Sequence, residues 1–250
     1  MFDLTTHLGV PLSWTGHQEN PVYPLIDGAV DHHVARSLEE LRPFLEDPDA
    51  SGPPYVYHVY EGIHLKSEET RYRAQGISVD LTIIWPGVLR DEWTKTAGHK
   101  HSAADNDEWR AEVIEVINGQ GLFVLQSGNR DRIDDLVVIS AQAGDWVVIP
   151  PGFGHVSVNV GEEVLAIVCA HAQDIYLEYE DMARHRGAGV WIGPEGMREN
   201  PSYLRIPPVK RLAARDVMAR PSQQPLYRMV GMNASQFEFL QDPRRPVPWR

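Results

Sequence analysis

Short β-type segments separated by turn residues dominate the chain between residues 55 and 171. Eight stretches rich in β-branched and aromatic residues follow one another, at 55–60, 77–85, 112–117, 122–126, 135–140, 146–149, 155–159 and 164–171. Their length and spacing are typical of an all-β sandwich or small barrel. Because strands and helices do not alternate, a doubly wound parallel sheet is disfavoured.

The chain length suits one such barrel with peripheral segments, since a barrel of 250 residues is commonly a single domain. We predict an N-terminal extension over 1–54, the barrel over 55–205, and a helical or irregular tail over 206–250. Ser37 followed by Glu40 is a capping-box pattern that predicts a helix within 37–45. Further helices are predicted at 175–185, with Tyr176, Tyr179 and Met182 on one face, and at 209–219, and a short strand at 190–192.

Charge and hydropathy limit the classes of partner. A formal net charge of −12 argues against broad nucleic-acid binding, although a local group of donors can still hold a small anion. No apolar run reaches the ~20 residues needed to cross a bilayer, so no membrane partner is expected. The first residues lack a basic stretch followed by an apolar one, which predicts a cytoplasmic protein. The single cysteine, Cys169, excludes an internal disulfide and lies in an apolar run that indicates burial.

Three histidines and one glutamate form the strongest chemical pattern. His99 and His101 are two residues apart, so on a strand their side chains point to the same face. Glu112 begins the next apolar stretch, and His155 follows a turn after another strand. Three imidazoles and a carboxylate suit one divalent ion of Fe, Mn, Ni, Co or Zn, with positions open for a substrate. The identity of the metal stays open.

The spacing around these ligands carries a family resemblance. Glu112 is followed after six residues by Gly119, and the second motif comprises Gly144, Pro150, Gly152, His155 and Asn159. Together these motifs resemble the cupin superfamily, which implies an all-β double-stranded β-helix, or jelly-roll barrel. An insertion over 102–111 makes Asp107 and Glu108 rival carboxylates. Glu112 is preferred because its spacing to Gly119 fits and an apolar strand directs its side chain.

A narrower resemblance covers roughly residues 55–205. Thr82 precedes the Pro86–Gly87 turn, and Lys95-Thr96-Ala97-Gly98-His99-Lys100-His101 leads into the predicted metal site. This pattern is similar to that of the cupin-type, archaeal-style glucose-6-phosphate isomerases. The similarity continues through residues 118–121, Tyr179 and residues 200–203.

This resemblance implies an isomerase that interconverts glucose 6-phosphate and fructose 6-phosphate, in glycolysis or gluconeogenesis, through a metal-stabilised enediolate. Glu112 would act as metal ligand or as base, and a hydride shift is the competing route. Thr82, Thr96 and Gly98 match family positions near the phosphate, where Lys95 would assist, and Tyr179 matches a tyrosine near the substrate. His171 stands where the family often has tyrosine, and is interpreted as a base, a phosphate donor or a rim residue.

Other functions remain open. The same ligand set serves iron-dependent dioxygenases and sugar-acid epimerases or lyases, and some cupins bind sugars without catalysis. A related sugar phosphate in a specialised pathway is a further alternative. Open barrel edges favour covering, which the N-terminal strands or the tail could provide across a twofold axis, and this predicts a homodimer.

Overall fold

Two sheets face each other at the centre of the protein, whose computed structural model describes residues 2–103 and 108–247. The larger sheet has six antiparallel strands in the order Trp146–Ile149, Glu112–Asn118, Leu165–Ala172, Ile77–Ile84, Tyr55–Glu61 and His32–Ser37. The smaller sheet has the order Gly154–Asn159, Gln120–Asn129, Arg132–Gln142 and Lys210–Ala213, and its last strand runs parallel to its neighbour. All eight predicted strands are present, with ends that differ by a few residues.

The smaller sheet is extended by the segment that carries two of the predicted ligands. Thr96 N donates to Ser157 O at 2.9 Å, and His155 N donates to His99 O at 3.0 Å. This segment continues into the strand Lys100–Ala103, which pairs with Ile175–Glu178. The sheet thus places residues 94–99 directly beside the strand that carries His155.

The remaining strands are short. Phe2–Asp3, Leu12–Trp14 and Val22–Pro24 form a three-stranded sheet, and the two-stranded pairs are Gly28–Ala29 with His64–Leu65, Val88–Leu89 with Glu92–Trp93, and Val190–Gly193 with Gly196–Glu199. The predicted strand at 190–192 is therefore confirmed.

The helices of the described residues are also short. The α-helices are Thr5–Leu8, Leu38–Leu41, Glu69–Ala74, Glu180–Arg184, Ala214–Val217 and Leu226–Met232, and the 3₁₀ helices are Arg42–Phe44, Lys66–Glu68 and Ala234–Leu240. The Ser37–Glu40 capping box is present at the start of Leu38–Leu41. No helix among these is long and apolar enough to cross a membrane.

Two of the predicted helices were wrong. Residues 175–178 form a strand, because their backbone pairs with Lys100–Ala103, and only Glu180–Arg184 is helical. Tyr176 is consequently exposed rather than on one face with Met182. In the tail, Lys210–Ala213 is a strand beside Arg132–Gln142, and the helix is confined to Ala214–Val217. Long-range pairing overrides the local helical pattern in both cases.

Alternation along the larger sheet separates two environments. Asp80 and Thr82 face the space between the sheets. Leu81 and Ile83 point to the opposite, outer face of the larger sheet, where they pack into a separate hydrophobic core. N-terminal residues such as Leu8 and tail residues such as Leu226 and Phe237 cover this outer face.

Both peripheral segments also cover sheet edges. His32–Ser37 of the extension closes one edge of the larger sheet, and Lys210–Ala213 of the tail closes one edge of the smaller sheet. These edges, which the sequence argument assigned to a second copy, are thus covered by the same chain.

Candidate metal centre

Three imidazoles, two of them buried (His101 and His155) and one partly buried (His99), converge between the two sheets. The ligand atoms of His99, His101 and His155 all lie within 4.8 Å of one another. His99 and His155 face each other across an antiparallel bridge, and His101 is two residues further along the same segment. The predicted pairing of an i, i+2 histidine pair with a third histidine on a neighbouring strand is therefore present.

The protonation of this cluster favours a cation. Burial lowers the pKa of His99 to about 3 and also lowers the pKa of His101 far below its usual value, so both rings are neutral near pH 7. His99 Nδ1 lies 3.1 Å from the carbonyl of Ala97, which holds a hydrogen on that nitrogen and leaves Nε2 with a lone pair. That Nε2 is 3.0 Å from Nε2 of His101. Two neutral ring nitrogens turned toward each other present the donors that a divalent metal requires.

Glu112 adjoins the imidazoles from the larger sheet. It is 4% exposed, and its Oε2 lies 3.0 Å from His155 Nε2. Burial alone would raise the pKa of this carboxyl group, but the adjacent His155 holds it below its usual value. An ionised carboxylate beside three imidazoles fits a divalent ion in charge and in donor type. The role of Glu112 as fourth ligand stays a prediction.

A cavity of about 450 Å³ opens beside this cluster. Its wall on the larger sheet is made by alternate residues of neighbouring strands, which share one face because of the strand pairing. These residues are His32, Val34, Arg36, Tyr57, Val59, Glu61, Ser78, Asp80, Thr82, Glu112, Ile114, Ile167, Cys169 and His171. The cavity therefore joins the histidine cluster to a mixed polar wall that can bind a small hydroxylated molecule.

His171 lines the cavity as a cation. It is the Cα partner of Glu112 in the sheet, and its ring lies 5.5 Å from that of His101. Although burial opposes its charge, Asp80 raises the pKa of His171 to about 9. The Nε2 atom is 2.9 Å from Asp80 Oδ2, and Nδ1 is 2.8 Å from the carbonyl of Ala172. The charged ring donates one hydrogen bond to each of these acceptors, and its positive charge is suited to stabilising negative charge in the cavity.

Three further predicted site residues line the cavity. The Tyr179 ring is 5.3 Å from that of His99, and burial raises the pKa of its hydroxyl to about 12, so it is a neutral donor near pH 7. Thr96 Oγ1 accepts from Ser157 N at 3.0 Å and keeps its own hydrogen for another acceptor. Thr82 is buried in the wall of the larger sheet.

The structure places Lys95 and Gly98 away from the cavity lining. The buried ammonium of Lys95 forms an ion pair with Glu92, which is also buried. A Cβ atom on Gly98 would lie 1.9 Å from Met182 Sδ, so this glycine permits close packing beside the metal centre.

Of the rival carboxylates, Glu108 is turned away and Asp107 lies outside the described residues. Glu108 Oε2 lies 3.0 Å from Arg110 Nη1, and its side chain is half exposed. Cys169 is buried, as expected, and it also contacts Glu112 within the cavity wall. Burial raises the pKa of its thiol far above the usual value, so it is protonated.

The sequence reasoning missed Asp80 and Arg36. Ser78, Asp80 and Thr82 occupy alternate positions of an otherwise apolar strand, and this polar alternation was a signal that could have identified Asp80. Arg36 lies on a strand of the N-terminal extension, and nothing in the sequence places that strand against the barrel.

Comparison with known proteins identifies the family. The family model described as glucose-6-phosphate isomerase (GPI) matches residues 38–203, well over half of the chain. The chain belongs to this family. Family members include the glucose-6-phosphate isomerase of Pyrococcus furiosus, which is 29% identical over 190 residues, or 72% of this chain and 92% of the relative. That of Thermococcus litoralis is 25% identical over 177 residues, or 67% of this chain and 86% of the relative. The predicted family and its isomerase class are thereby confirmed.

Solved structures give partial matches to this chain. A vicilin structure from Corylus avellana (hazelnut) has a TM-score of 0.38 at 13% identity, covering 51% of this chain and 33% of that chain. A structure reported for the mechanism of oxalate oxidase has a TM-score of 0.37 at 21% identity, covering 52% of this chain and 59% of that chain. The described residues form an all-β barrel of two sheets, and the predicted fold class is confirmed.

Proposed function

We propose that this protein is a metal-dependent aldose–ketose isomerase whose substrates are glucose 6-phosphate and fructose 6-phosphate. The observation that carries this proposal is the convergence of His99, His101 and His155 beside Glu112 in the cavity. Membership of the glucose-6-phosphate isomerase family supplies the substrate class.

One divalent ion, of Fe, Mn, Ni, Co or Zn, would be held by His99, His101, His155 and Glu112. The donor set of three imidazoles and one carboxylate suits any of these metals. When bound, such an ion neutralises negative charge on the adjacent oxygens of the enediolate. The rest of the reaction depends on proton movements that the side chains of the cavity can perform.

Glu112 is the group proposed to carry the proton. In the direction from aldose to ketose, a base removes the proton from C2 and the electron pair of that bond forms the C1–C2 double bond of the enediolate. The same proton returns to C1, while a proton on the O2 hydroxyl is transferred to O1, so that no external reactant is consumed. The buried Glu112 carboxylate is ionised, so it has a lone pair that can accept this proton.

His171 and Tyr179, which both line the cavity, are proposed to assist this transfer. The imidazolium of His171, held by Asp80, offers positive charge close to Glu112. The Tyr179 hydroxyl is protonated and serves as a hydrogen-bond donor to a sugar oxygen. The hydroxyls of Thr82 and Thr96 add neutral donors along the wall.

A coupled assay for glucose 6-phosphate formation from fructose 6-phosphate tests the proposal. The protein is stripped with a chelator, reloaded with each of the five metals, and compared with His155→Gln. His185→Gln is the matched control, because His185 is equally buried but lies outside the cavity lining. Turnover that requires metal, disappears in His155→Gln and persists in His185→Gln is expected.

Lack of turnover with every metal, while the ion still binds, would overturn the glycolytic assignment. Oxygen consumption by the iron-loaded protein would then favour a dioxygenase instead. A cytoplasmic location and a homodimer remain part of the proposal, and sedimentation equilibrium of the purified chain tests the second.

A further inference from the structure

Arg36 enters the cavity from a strand that lies just before the family-model match. It lies on the edge strand His32–Ser37, as the Cα partner of Tyr57, whereas the family match begins at residue 38. His32, Val34 and Arg36 are every second residue of this strand, and all three line the cavity. The N-terminal extension therefore contributes a cation to the same cavity that holds the histidine cluster.

The guanidinium of Arg36 retains unused hydrogen-bonding capacity. Its Nε atom is buried without a hydrogen-bond partner. Its Nη1 lies 3.4 Å from Oε1 of Glu40, whose side chain is half exposed. The other oxygen of Glu40 is occupied by the capping box, at 2.9 Å from Ser37 N and 2.7 Å from Ser37 Oγ. A long contact to a hydrated carboxylate leaves the guanidinium available to a stronger acceptor.

Arg73, the other arginine of the cavity lining, differs in this respect. Its two terminal nitrogens form a bidentate pair with Asp31, and one of them also lies 3.6 Å from Glu69. The charge of Arg73 is therefore compensated by Asp31, and both of its terminal nitrogens already donate to that carboxylate.

Arg36 lies one aromatic ring away from the candidate metal centre. Its Cζ is 6.0 Å from the centroid of the Tyr179 ring, and that ring is 5.3 Å from the ring of His99. The Tyr57 hydroxyl hydrogen-bonds to the guanidinium and accepts from the backbone N–H of Ala97. The cation is thus held at a fixed place beside Tyr179, the ring that also neighbours His99.

We propose that Arg36 binds the phosphate group of the substrate and thereby selects phosphorylated over unphosphorylated sugars. This inference rests on the proposed function, which places C1 and C2 of the sugar at the histidine cluster. The carbon chain of a hexose then extends along Tyr179 and brings its terminal phosphate to Arg36. A planar guanidinium recognises a phosphate dianion through parallel hydrogen bonds, and phosphate competes better than the hydrated Glu40 carboxylate.

Binding of two unreactive polyols tests this inference. Glucitol 6-phosphate and glucitol differ only in the phosphate, and neither has the carbonyl group needed for isomerisation. Calorimetry on the metal-loaded protein should give tighter binding of glucitol 6-phosphate, and ligand-observed NMR measures the weaker glucitol. In Arg36→Gln, the affinity for glucitol 6-phosphate should fall by about tenfold or more, while that for glucitol is retained.

Two matched variants sharpen the result. Arg73→Gln removes an arginine from the same cavity lining, and the affinity for glucitol 6-phosphate should be unchanged because Asp31 already compensates that charge. Glu40→Gln keeps the capping-box geometry and removes the competing carboxylate, so binding of glucitol 6-phosphate should strengthen several-fold. With fructose 6-phosphate, Arg36→Gln should raise KM and leave kcat nearly unchanged.

The assignment would be overturned if Arg36→Gln lost affinity equally for both polyols, or lost no affinity for glucitol 6-phosphate. It would also be overturned if Arg73→Gln lost as much affinity for glucitol 6-phosphate as Arg36→Gln does, or if the unmodified protein bound neither polyol. The failure of the proposed function is distinguishable, because the binding measurement needs no turnover. Binding that depends on Arg36 without isomerisation would refute the proposed reaction and retain the phosphate site. Isomerisation with phosphate binding that does not depend on Arg36 would retain the reaction and refute the phosphate site.

Discussion

His171 lies between two hydrogen-bond acceptors, with Nε2 2.9 Å from Asp80 Oδ2 and Nδ1 2.8 Å from the carbonyl of Ala172. Asp80 is fixed in turn by Gly62 N at 2.9 Å and Ser78 Oγ at 2.8 Å. Asp80→Asn removes the charge that raises the pKa of His171 to about 9, so this pKa should fall below 7. NMR titration of chelator-treated protein, with His171→Gln to assign the resonance, measures the change.

The same pair predicts how stability depends on pH. Since the pKa of His171 is higher in the folded protein than its usual 6.5, the stabilisation is fully present below pH 6.5 and is lost as pH rises through 9. The loss should be on the order of 3 kcal/mol in the free energy of unfolding. Urea unfolding at pH 6 and pH 10 tests it, and an Asp80→Asn protein with an undiminished pH dependence would contradict it.

The strands and the histidine cluster were predictable because each depends on a local pattern. Alternation and turn residues define strands such as 77–85, and the spacings around His99 and His155 define the metal motif. Arg36 and Asp80 depend instead on which strands become neighbours. The strand at 175–178 shows the same limit, because its pairing with Lys100–Ala103 outweighs a local pattern that favours a helix.

The assignment of Glu112 as ligand and proton carrier predicts separable effects. Glu112→Gln keeps an oxygen donor but cannot accept a proton, so metal should still bind, more weakly, while turnover falls by about 10²–10⁴-fold. Metal content after dialysis and the coupled assay measure the two effects. A Glu112→Gln enzyme that isomerises at a normal rate would exclude this carboxylate as the base.

Glu115 provides a matched control on the same strand. It is equally buried, but its oxygens receive hydrogen bonds from Arg220 and from Leu226 N, which attach the tail to the larger sheet. Glu115→Gln should therefore lower the free energy of unfolding by about 2–4 kcal/mol and leave kcat nearly unchanged. Urea unfolding and the coupled assay separate this structural role from the chemical role of Glu112.

The position of Lys95 predicts a structural role rather than contact with substrate. Lys95 and Glu92 form a buried ion pair, and Glu92 also accepts from Glu46 N at 2.8 Å. Lys95→Met leaves the Glu92 carboxylate without its cation, so the free energy of unfolding should fall by about 3–5 kcal/mol. KM for fructose 6-phosphate should stay unchanged. In the double variant Lys95→Met/Glu92→Leu, we expect the free energy of unfolding to be restored. A raised KM in Lys95→Met would contradict the structural role and place Lys95 at the substrate.

Gly98 is predicted to be required for packing against Met182. In Gly98→Ala, the new Cβ would lie 1.9 Å from Met182 Sδ and 2.8 Å from Val156 Cγ2, so these side chains must move. The cost should be about 1–3 kcal/mol in the free energy of unfolding. Met182→Ala alone opens a cavity and also destabilises, but the double variant should lose clearly less than the two single losses together, because the smaller side chain makes room for the added methyl group. Additive losses in urea unfolding would show that Met182 does not limit the side chain at this position. Every variant retains the backbone N–H of residue 98, so the compared free energies of unfolding do not depend on a phosphate contact of that group.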